Sequence, residues 1–347
     1  MGVRIMKIAV LAPIAWRTPP RKYGPWELVA STITEELVRR GFDVTLFATG
    51  DSITGGKLSY ACSQGYEEDK NVDPKVAECL HISSLMERAG EFDIIHNHFD
   101  FLPLTYSRLI ETPMITTVHG FSSPKIVPVY QRYNDINHYV SISYSNRNEH
   151  LSYIANVYNG INPRDFTFCP AVGDYLLYFG RIHPDKGTRE AIDIALKAKM
   201  KLIIAGYIQD NDYYKREVHP FVDGRQIAYV GNADPVQRDK LLGQAYALLH
   251  PINFEEPFGL SVAESMFCGT PVIAFNKGSM EELIEHGKSG FLVRNVDEAL
   301  AVLPRIAELD RSDCRQHAQS RFSIERSVDD YVEVYKKVLS LQRGCTS

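Results

Sequence analysis

The chain of 347 residues is short of the features that mark specialised proteins. Its six cysteines, Cys62, Cys79, Cys169, Cys268, Cys314 and Cys345, are scattered, with no C-x-x-C and no Cys/His spacing suited to zinc. That excludes a disulfide framework and reads as reduced thiols in a reducing compartment. The 23 glycines follow no period, which excludes a collagen-like chain. No stretch approaches the ~18 to 20 apolar residues that span a bilayer. Neither sign of charge is in excess: 38 Lys and Arg against 43 acids leave a net charge of −5, and the first 168 residues carry 16 against 18. A nucleic-acid binder that tracks phosphates usually shows a basic face, and none is evident. What is present is a 44% hydrophobic chain, enough to fill two cores at a prior of roughly 150 residues per domain.

Arg4 and Lys7 precede an apolar run from Ile8 to Trp16, so the N-terminus needs a targeting check. The run is short, contains Pro13, and leads into Arg17 and Pro19-Pro20 where a small-residue cleavage site would be needed. It reads as a first buried strand. The expected setting is the cytoplasm, without an integral membrane segment and with peripheral membrane contact left open.

Short apolar runs that end in Gly, Pro or polar turns alternate with stretches of helical period, the pattern of βαβ units and parallel sheets. In the first half, strands are expected at 7–12, 43–49, 93–96, 114–118, 138–142 and 155–158. A helix is expected over 27–40, with Leu28, Val29, Ile33, Leu37 and Val38 on one face and Gly41 as its stop. Residues 50–73 are polar and aperiodic and read as a long loop. After a linker-like stretch at 162–173 the pattern restarts, with strands expected at 175–179, 201–205, 227–230, 247–250 and 271–275 and a helix over 188–197. The tail, 324–341, carries Val328, Tyr331, Val332, Tyr335, Val338 and Leu339 on one face of a long helix that packs on either lobe. The fold class is therefore α/β, with two Rossmann-like, doubly wound lobes and a cleft between them. Ligands in such sheets bind beyond the carboxyl ends of the strands.

Three stretches carry groups suited to chemistry. In His250-Pro-Ile-Asn-Phe-Glu-Glu256-Pro-Phe258-Gly259-Leu260-Ser-Val-Ala-Glu264, a strand runs into a loop with two carboxylates and then a helix. At 1.5 Å per residue, Glu256 and Glu264 would stand roughly 12 Å apart along a helix. That separation suits the two ends of a sugar-diphosphate-nucleoside, with the amides near Gly259 and Leu260 facing the diphosphate. In Tyr178-Phe-Gly180-Arg181-Ile-His-Pro-Asp-Lys186-Gly187, a strand ends at Gly180, and Arg181 and Lys186 can converge on an anion. Two fixed cations there would stabilise the charge that builds on a departing diphosphate. The third stretch, Pro19-Pro-Arg-Lys-Tyr23-Gly24-Pro25-Trp26-Glu27, lies between the first strand and its helix. Gly24 could bring backbone amides to a phosphate or an acceptor hydroxyl, although Gly-Pro also marks an ordinary turn.

His96-Asn97-His98 and Thr117-Val-His119-Gly120 close two further strands. An H-x-H pair can bind metal, but no third ligand is suggested nearby, and structural histidines are the commoner outcome. His119, followed by Gly120 at a strand's carboxyl end, is expected to face the cleft.

Together these residues resemble the retaining, nucleotide-sugar-dependent glycosyltransferases of family 4, which have the GT-B fold. The resemblance rests on Glu256-x7-Glu264 with Phe258-Gly259-Leu260, on Arg181 and Lys186-Gly187, and on Tyr23-Gly24-x-x-Glu27, in that family's order across the whole chain. It implies an acceptor lobe at 1–168, a nucleotide-sugar lobe at 169–322 and a terminal helix at 323–347 that crosses back to the first lobe. It implies that Glu256 binds donor sugar hydroxyls, Glu264 the ribose, Arg181 and Lys186 the diphosphate, and His119 the reacting sugar. Gly24, Gly180, Phe258, Gly259 and Leu260 would complete the donor site. The partners are then a nucleoside-diphosphate sugar and a hydroxyl acceptor, with no metal, no other cofactor and no nucleic acid.

Two positions depart from that pattern. The family often has Gly-Gly where this chain has Gly24-Pro25, followed by bulky Trp26, and Pro removes an amide donor. Lys277-Gly278 replaces another common Gly-Gly, with no expected effect on chemistry. No carboxylate sits in a nucleophile motif, so the resemblance implies front-face attack, with a leaving diphosphate oxygen taking the acceptor proton. The competing readings are a sugar-nucleotide-binding protein without turnover and a GT-B epimerase or hydrolase. A dinucleotide-dependent oxidoreductase would need a glycine fingerprint after the first strand, and Ala12-Pro-Ile-Ala-Trp16 has none.

Overall fold

The computed structural model describes residues 5–121 and 123–345, with the side chains of 343–345, Cys345 among them, outside the description. The chain divides into two compact units, Met1–Gly160 with Ile324–Ser347, and Ile161–Ser323.

The first unit is built on seven parallel strands: β1 (Lys7–Leu11), β2 (Asp43–Phe47), β3 (Lys57–Ser59), β4 (Ile94–Asn97), β5 (Met114–Val118), β6 (His138–Ser141) and β7 (Tyr153–Asn156). They are ordered β3-β2-β1-β4-β5-β6-β7. β1 reads as an apolar run after Lys7, as expected of a strand in a parallel sheet covered on both faces, and Ile8 to Leu11 are fully buried. The order reverses between β1 and β4. That switch point places the loop after β1 and the residue after β4, His98, at one rim.

β3 falls inside the stretch expected to be a loop. It is a three-residue edge strand, half-exposed, too short to show a period. β7 begins two residues earlier than expected, and its register against β6 shifts at Tyr139/Val140. The helix Pro74–Met86 gave no separate sequence signal, because its side chains do not sort into an apolar and a polar face.

The tail forms one helix, Ile324–Cys345, and belongs to the first unit. Its buried face returns two tyrosines to the sheet. Tyr335 Oη lies 2.7 Å from His96 Nδ1, and Tyr331 Oη lies 2.8 Å from Thr117 Oγ1. At its outer edge Arg40 pairs with Asp329 at 2.6 Å.

The second unit carries six parallel strands: β8 (Tyr175–Phe179), β9 (Lys201–Ala205), β10 (Ile227–Tyr229), β11 (Ala247–His250), β12 (Val272–Phe275) and β13 (Gly290–Val293). Their order is β10-β9-β8-β11-β12-β13, again doubly wound, with the switch point between β8 and β11. Residues 161–168 lie with this unit: Thr167 N donates to Asp239 at 2.7 Å, and Phe166 packs on Phe267. The unit's two ends meet where Ile161 N donates to Phe322 O at 2.7 Å.

Arg311 ties the second unit together from inside. It is 5% exposed and donates to Cys169 O at 2.7 Å, Ala245 O at 3.1 Å, Gly243 O at 2.7 Å and Thr270 Oγ1. Those acceptors come from the linker, from the turn before β11 and from the turn before β12, so one guanidinium fixes three segments. Arg311→Met leaves the carbonyls of Gly243 and Ala245 without this donor in the interior. It should destabilise the unit by about 3 kcal/mol or more in urea unfolding, since each orphaned buried polar group costs about 1 to 3 kcal/mol. A loss below about 1 kcal/mol would contradict that role.

Candidate active site

In a doubly wound sheet the crevice opens at the carboxyl ends of the two strands that flank the switch point. In the second unit those strands are β8 and β11. The loops that follow them are the Arg181/Lys186 loop and the Glu256 loop, so topology alone brings the two motifs together.

Contacts between the loops are direct. Lys186 Nζ lies 2.5 Å from Glu256 Oε2, with both side chains largely buried. The ring of Phe254 lies 4.5 Å below the ammonium, adding a cation–π contact. His250, the last residue of β11, brings Nε2 to 3.4 Å from the same carboxylate oxygen. Asn253 completes the join, its N donating to Asp185 O at 2.6 Å and its Nδ2 to Glu190 at 2.7 Å. Burial would raise the Glu256 carboxyl, but the Lys186 ammonium and the His250 ring outweigh it and hold it at about 2. Burial pushes the His250 imidazole down.

Two glycines make this approach possible. Gly187 has φ of 71°, and a Cβ there would meet Pro251 O at 1.8 Å. Gly278 has φ of 59°, and a Cβ would meet the backbone N and O of Glu256 at 2.3 and 2.4 Å. The turn around Gly278 cradles the Glu256 loop: Ser279 N donates to Glu256 O at 2.9 Å, and Gly278 N to Glu255 Oε2 at 2.6 Å. Sequence reasoning gave this Lys277-Gly278 turn no role. Its function lies in a long-range backbone contact that has no local signal.

The other expected donor residues of this unit lie on the loop after β8 and on the loop and helix that follow β11. Arg181 is half-exposed on the loop after Gly180, and its guanidinium is held by the side chain of Gln209. The helix after β11 runs from Leu260 to Phe267 with Gly259 as its N-cap, so Glu256 lies in the loop before it. The expected 12 Å helical separation of Glu256 and Glu264 therefore does not apply. Only Leu260 to Glu264 rises at helical pitch, about 6 Å. The first amides of that helix have no intrahelical acceptor, and no side chain caps them. Phe258 is 2% exposed and packs edge-on against Phe322, so its side chain belongs to the core and only its backbone can serve a ligand.

Glu264 is buried and pairs with Arg238 at 2.9 Å. Burial raises its carboxyl, with Arg238 opposing. Arg238 itself escaped the sequence reading, since nothing near it in the chain marks it. Its Nε is buried without a partner, which leaves donor capacity beside Glu264.

His119 and Gly24 lie in the first unit. Gly24 has φ of 151° and caps the helix Pro25–Arg39, and a Cβ there would meet Pro20 Cβ at 2.7 Å. Its glycine is required by the backbone. Pro25 occupies the first helical position, where the missing amide costs nothing. Trp26 stacks on His119, ring centroids 5.4 Å apart and planes at 21°. His96 and His98 are fully buried in side-chain hydrogen bonds. Among the described residues no group of three or more His, Cys, Asp or Glu is placed to hold a metal ion, and no helix is long and apolar enough to cross a membrane.

Residues 170–321 match the family described as glycosyl transferases group 1. That match spans most of the second unit. The chain is an enzyme of the transferase class. It is 22% identical to an uncharacterised glycosyltransferase of Methanocaldococcus jannaschii, over 97% of this chain and 99% of that one. Its fold is that of GT-B proteins. It superposes on the Anabaena protein HepE, solved with UDP and glucose, with a TM-score of 0.73, 20% identity, and 96% of this chain and 100% of that one covered. It superposes on sucrose-phosphate synthase of Thermosynechococcus elongatus with a TM-score of 0.76, 16% identity, and coverage of 97% and 100%. The second unit thus holds the clamp at its switch point, while the first unit carries the Gly24 loop and His119.

One buried group in the first turn of the helix Pro25–Arg39 titrates near neutrality. Glu27 is 2% exposed and accepts from Trp16 N at 3.3 Å. Burial lifts its carboxyl from 4.5 to about 7, with the amides of Glu27 and Trp16 opposing. The folded state therefore binds the proton more tightly than the unfolded one. This favours folding below about pH 4.5 and is lost as pH rises through about 7, a swing on the order of 3 kcal/mol. Glu27→Gln should flatten that dependence, so its stability relative to wild type rises from pH 5 to pH 8 in urea unfolding. A difference that stays constant across those pH values would show that Glu27 keeps an ordinary pKa.

Proposed function

We propose that the protein is a retaining glycosyltransferase of family 4 that moves a hexosyl group from a nucleoside-diphosphate sugar to a hydroxyl on a sugar or small molecule, working in the cytoplasm without a metal. The observation that carries this reading is the clamp at the β8/β11 switch point. There the loop after β8, which carries Arg181 and Lys186, and the loop after β11, which leads into the Leu260–Phe267 helix, leave adjacent strands, with Lys186 paired to Glu256. A dianionic diphosphate fits such a set of donors.

In the proposed reaction the bond from the anomeric carbon to the diphosphate oxygen breaks, and the acceptor oxygen forms its bond on the same face. The acceptor proton passes to the departing diphosphate oxygen. Arg181 and Lys186 hold the charge that builds there, the largest kind of contribution a preorganised site makes. Both carboxylates of the motif support this assignment, since Glu256 is paired with Lys186 and Glu264 with Arg238. Neither stands as a free nucleophile. Glu256 is assigned to the sugar hydroxyls, Glu264 with Arg238 to the ribose, and His119 to the reacting sugar. That the Anabaena protein was solved with UDP and glucose makes a uridine donor the first to try.

A thermal-shift screen against UDP, GDP, ADP and their sugars tests the donor site, because a specific ligand raises the melting temperature by mass action. One nucleotide series should stand out, and Arg181→Ala should weaken it about tenfold or more. Lys186→Ala and Glu256→Ala should each lose most of the transfer rate, measured as product formed from an acceptor panel. No stabilising nucleotide, or wild-type transfer in both variants, contradicts the assignment. Binding without product across a broad panel supports a binding protein instead, and donor breakdown without acceptor supports a hydrolase or epimerase.

A further inference from the structure

The first unit holds a pair of imidazoles whose arrangement goes beyond what donor binding requires. His98, just after β4, and His119, just after β5, face each other with 2.9 Å between His98 Nδ1 and His119 Nε2. Both rings are neutral near pH 7: burial pushes His119 down to about 3 and His98 well below its ordinary value. A neutral imidazole has one N–H and one bare nitrogen. Between the facing atoms, one must donate and the other accept.

The far side of His98 decides which. Its Nε2 is buried with no hydrogen-bond partner, and its ring packs on that of His96 at 4.1 Å. A proton on Nε2 would strand an N–H in the interior, and orphaned buried donors are rarer than under-used acceptors. The proton therefore belongs on Nδ1, pointing at His119. His96 imposes no competing demand, because its two nitrogens meet the hydroxyls of Tyr335 and Thr117, which rotate to suit either tautomer.

We infer that His98 is a positioning residue: it donates from Nδ1 to His119 Nε2 and so holds His119 as its Nδ1–H tautomer. Nδ1 of His119 makes no hydrogen bond with the described residues, so this tautomer presents a donor. The stack of Trp26 on the ring fixes the plane in which that donor points. Where the functional reading above places His119 at the reacting sugar, the consequence is selection for a sugar oxygen that accepts a hydrogen bond. The tautomer itself does not depend on that reading.

Long-range proton–nitrogen NMR of the full-length protein labelled with 15N-histidine reads the tautomer directly, without any substrate. The His119 signals are those that vanish in His119→Gln. Wild type should show the Nδ1–H pattern at His119, and an Nε2–H pattern overturns the inference. In His98→Leu the His119 pattern should shift toward a mixture of tautomers. His98→Asn, whose side-chain amide can donate from near the Nδ1 position, should restore the single form. Transfer rates should follow, with about a tenfold loss in His98→Leu and recovery of most of it in His98→Asn. Equal tautomer patterns in the wild type and both variants would show that His98 sets nothing. If no transfer is found in wild type while the Nδ1–H pattern is present, the functional reading fails and the tautomer assignment stands.

Discussion

The second unit is organised around one ion pair, Lys186 with Glu256. Taking both charges out of water costs several kcal/mol per ion, and their attraction offsets this only with good geometry and further partners. Here the geometry is close, at 2.5 Å, and Phe254 and His250 supply the partners. Such a pair is weak evidence for stability. Its effect is positional, since it holds the loop after β8 against the loop after β11 at the place where the strand order reverses. Gly187 and Gly278 follow from that closeness, because each lets one backbone approach another where a side chain would not fit. A fixed cation at a sheet's switch point is what an anionic leaving group requires, and it needs no reorganisation when charge develops.

The first unit solves a different problem. Its polar interior is a chain of neutral rings and hydroxyls, from Tyr335 and Tyr331 of the terminal helix through His96 and Thr117. The terminal helix thus does more than cover a hydrophobic face. It satisfies polar groups that the ends of β4 and β5 would otherwise leave buried and unpaired. Alongside lies the His98–His119 pair, with Trp26 over its outer member. The Pro25-Trp26 departure has a structural use: Pro25 starts the helix and Trp26 covers the histidine.

Much of this was legible in the chain. β5, β8, β9 and β11 fall where short buried runs placed them, because a strand covered on both faces is an apolar run bounded by turns. The pairing of the Arg181/Lys186 and Glu256 loops follows from the same reading, since both sit at strand ends. Elements without a period were not visible, among them the edge strand β3 and the helix Pro74–Met86. Partners distant in sequence were not visible either. Arg238 reaches Glu264 from another helix, and Gly278 cradles a loop more than twenty residues earlier. Phe258 sits inside the motif, yet its side chain belongs to the core, which the motif alone does not reveal.

Whether a diphosphate sits between the loops after β8 and β11 is decided by a crystal structure of the protein grown with UDP, GDP or ADP, whichever binds. Diphosphate oxygens should lie within hydrogen-bond distance of the Arg181 guanidinium and of the backbone amides at the start of the Leu260–Phe267 helix, with Lys186 still against Glu256. A nucleotide bound elsewhere, with the space between those loops empty, would contradict this placement.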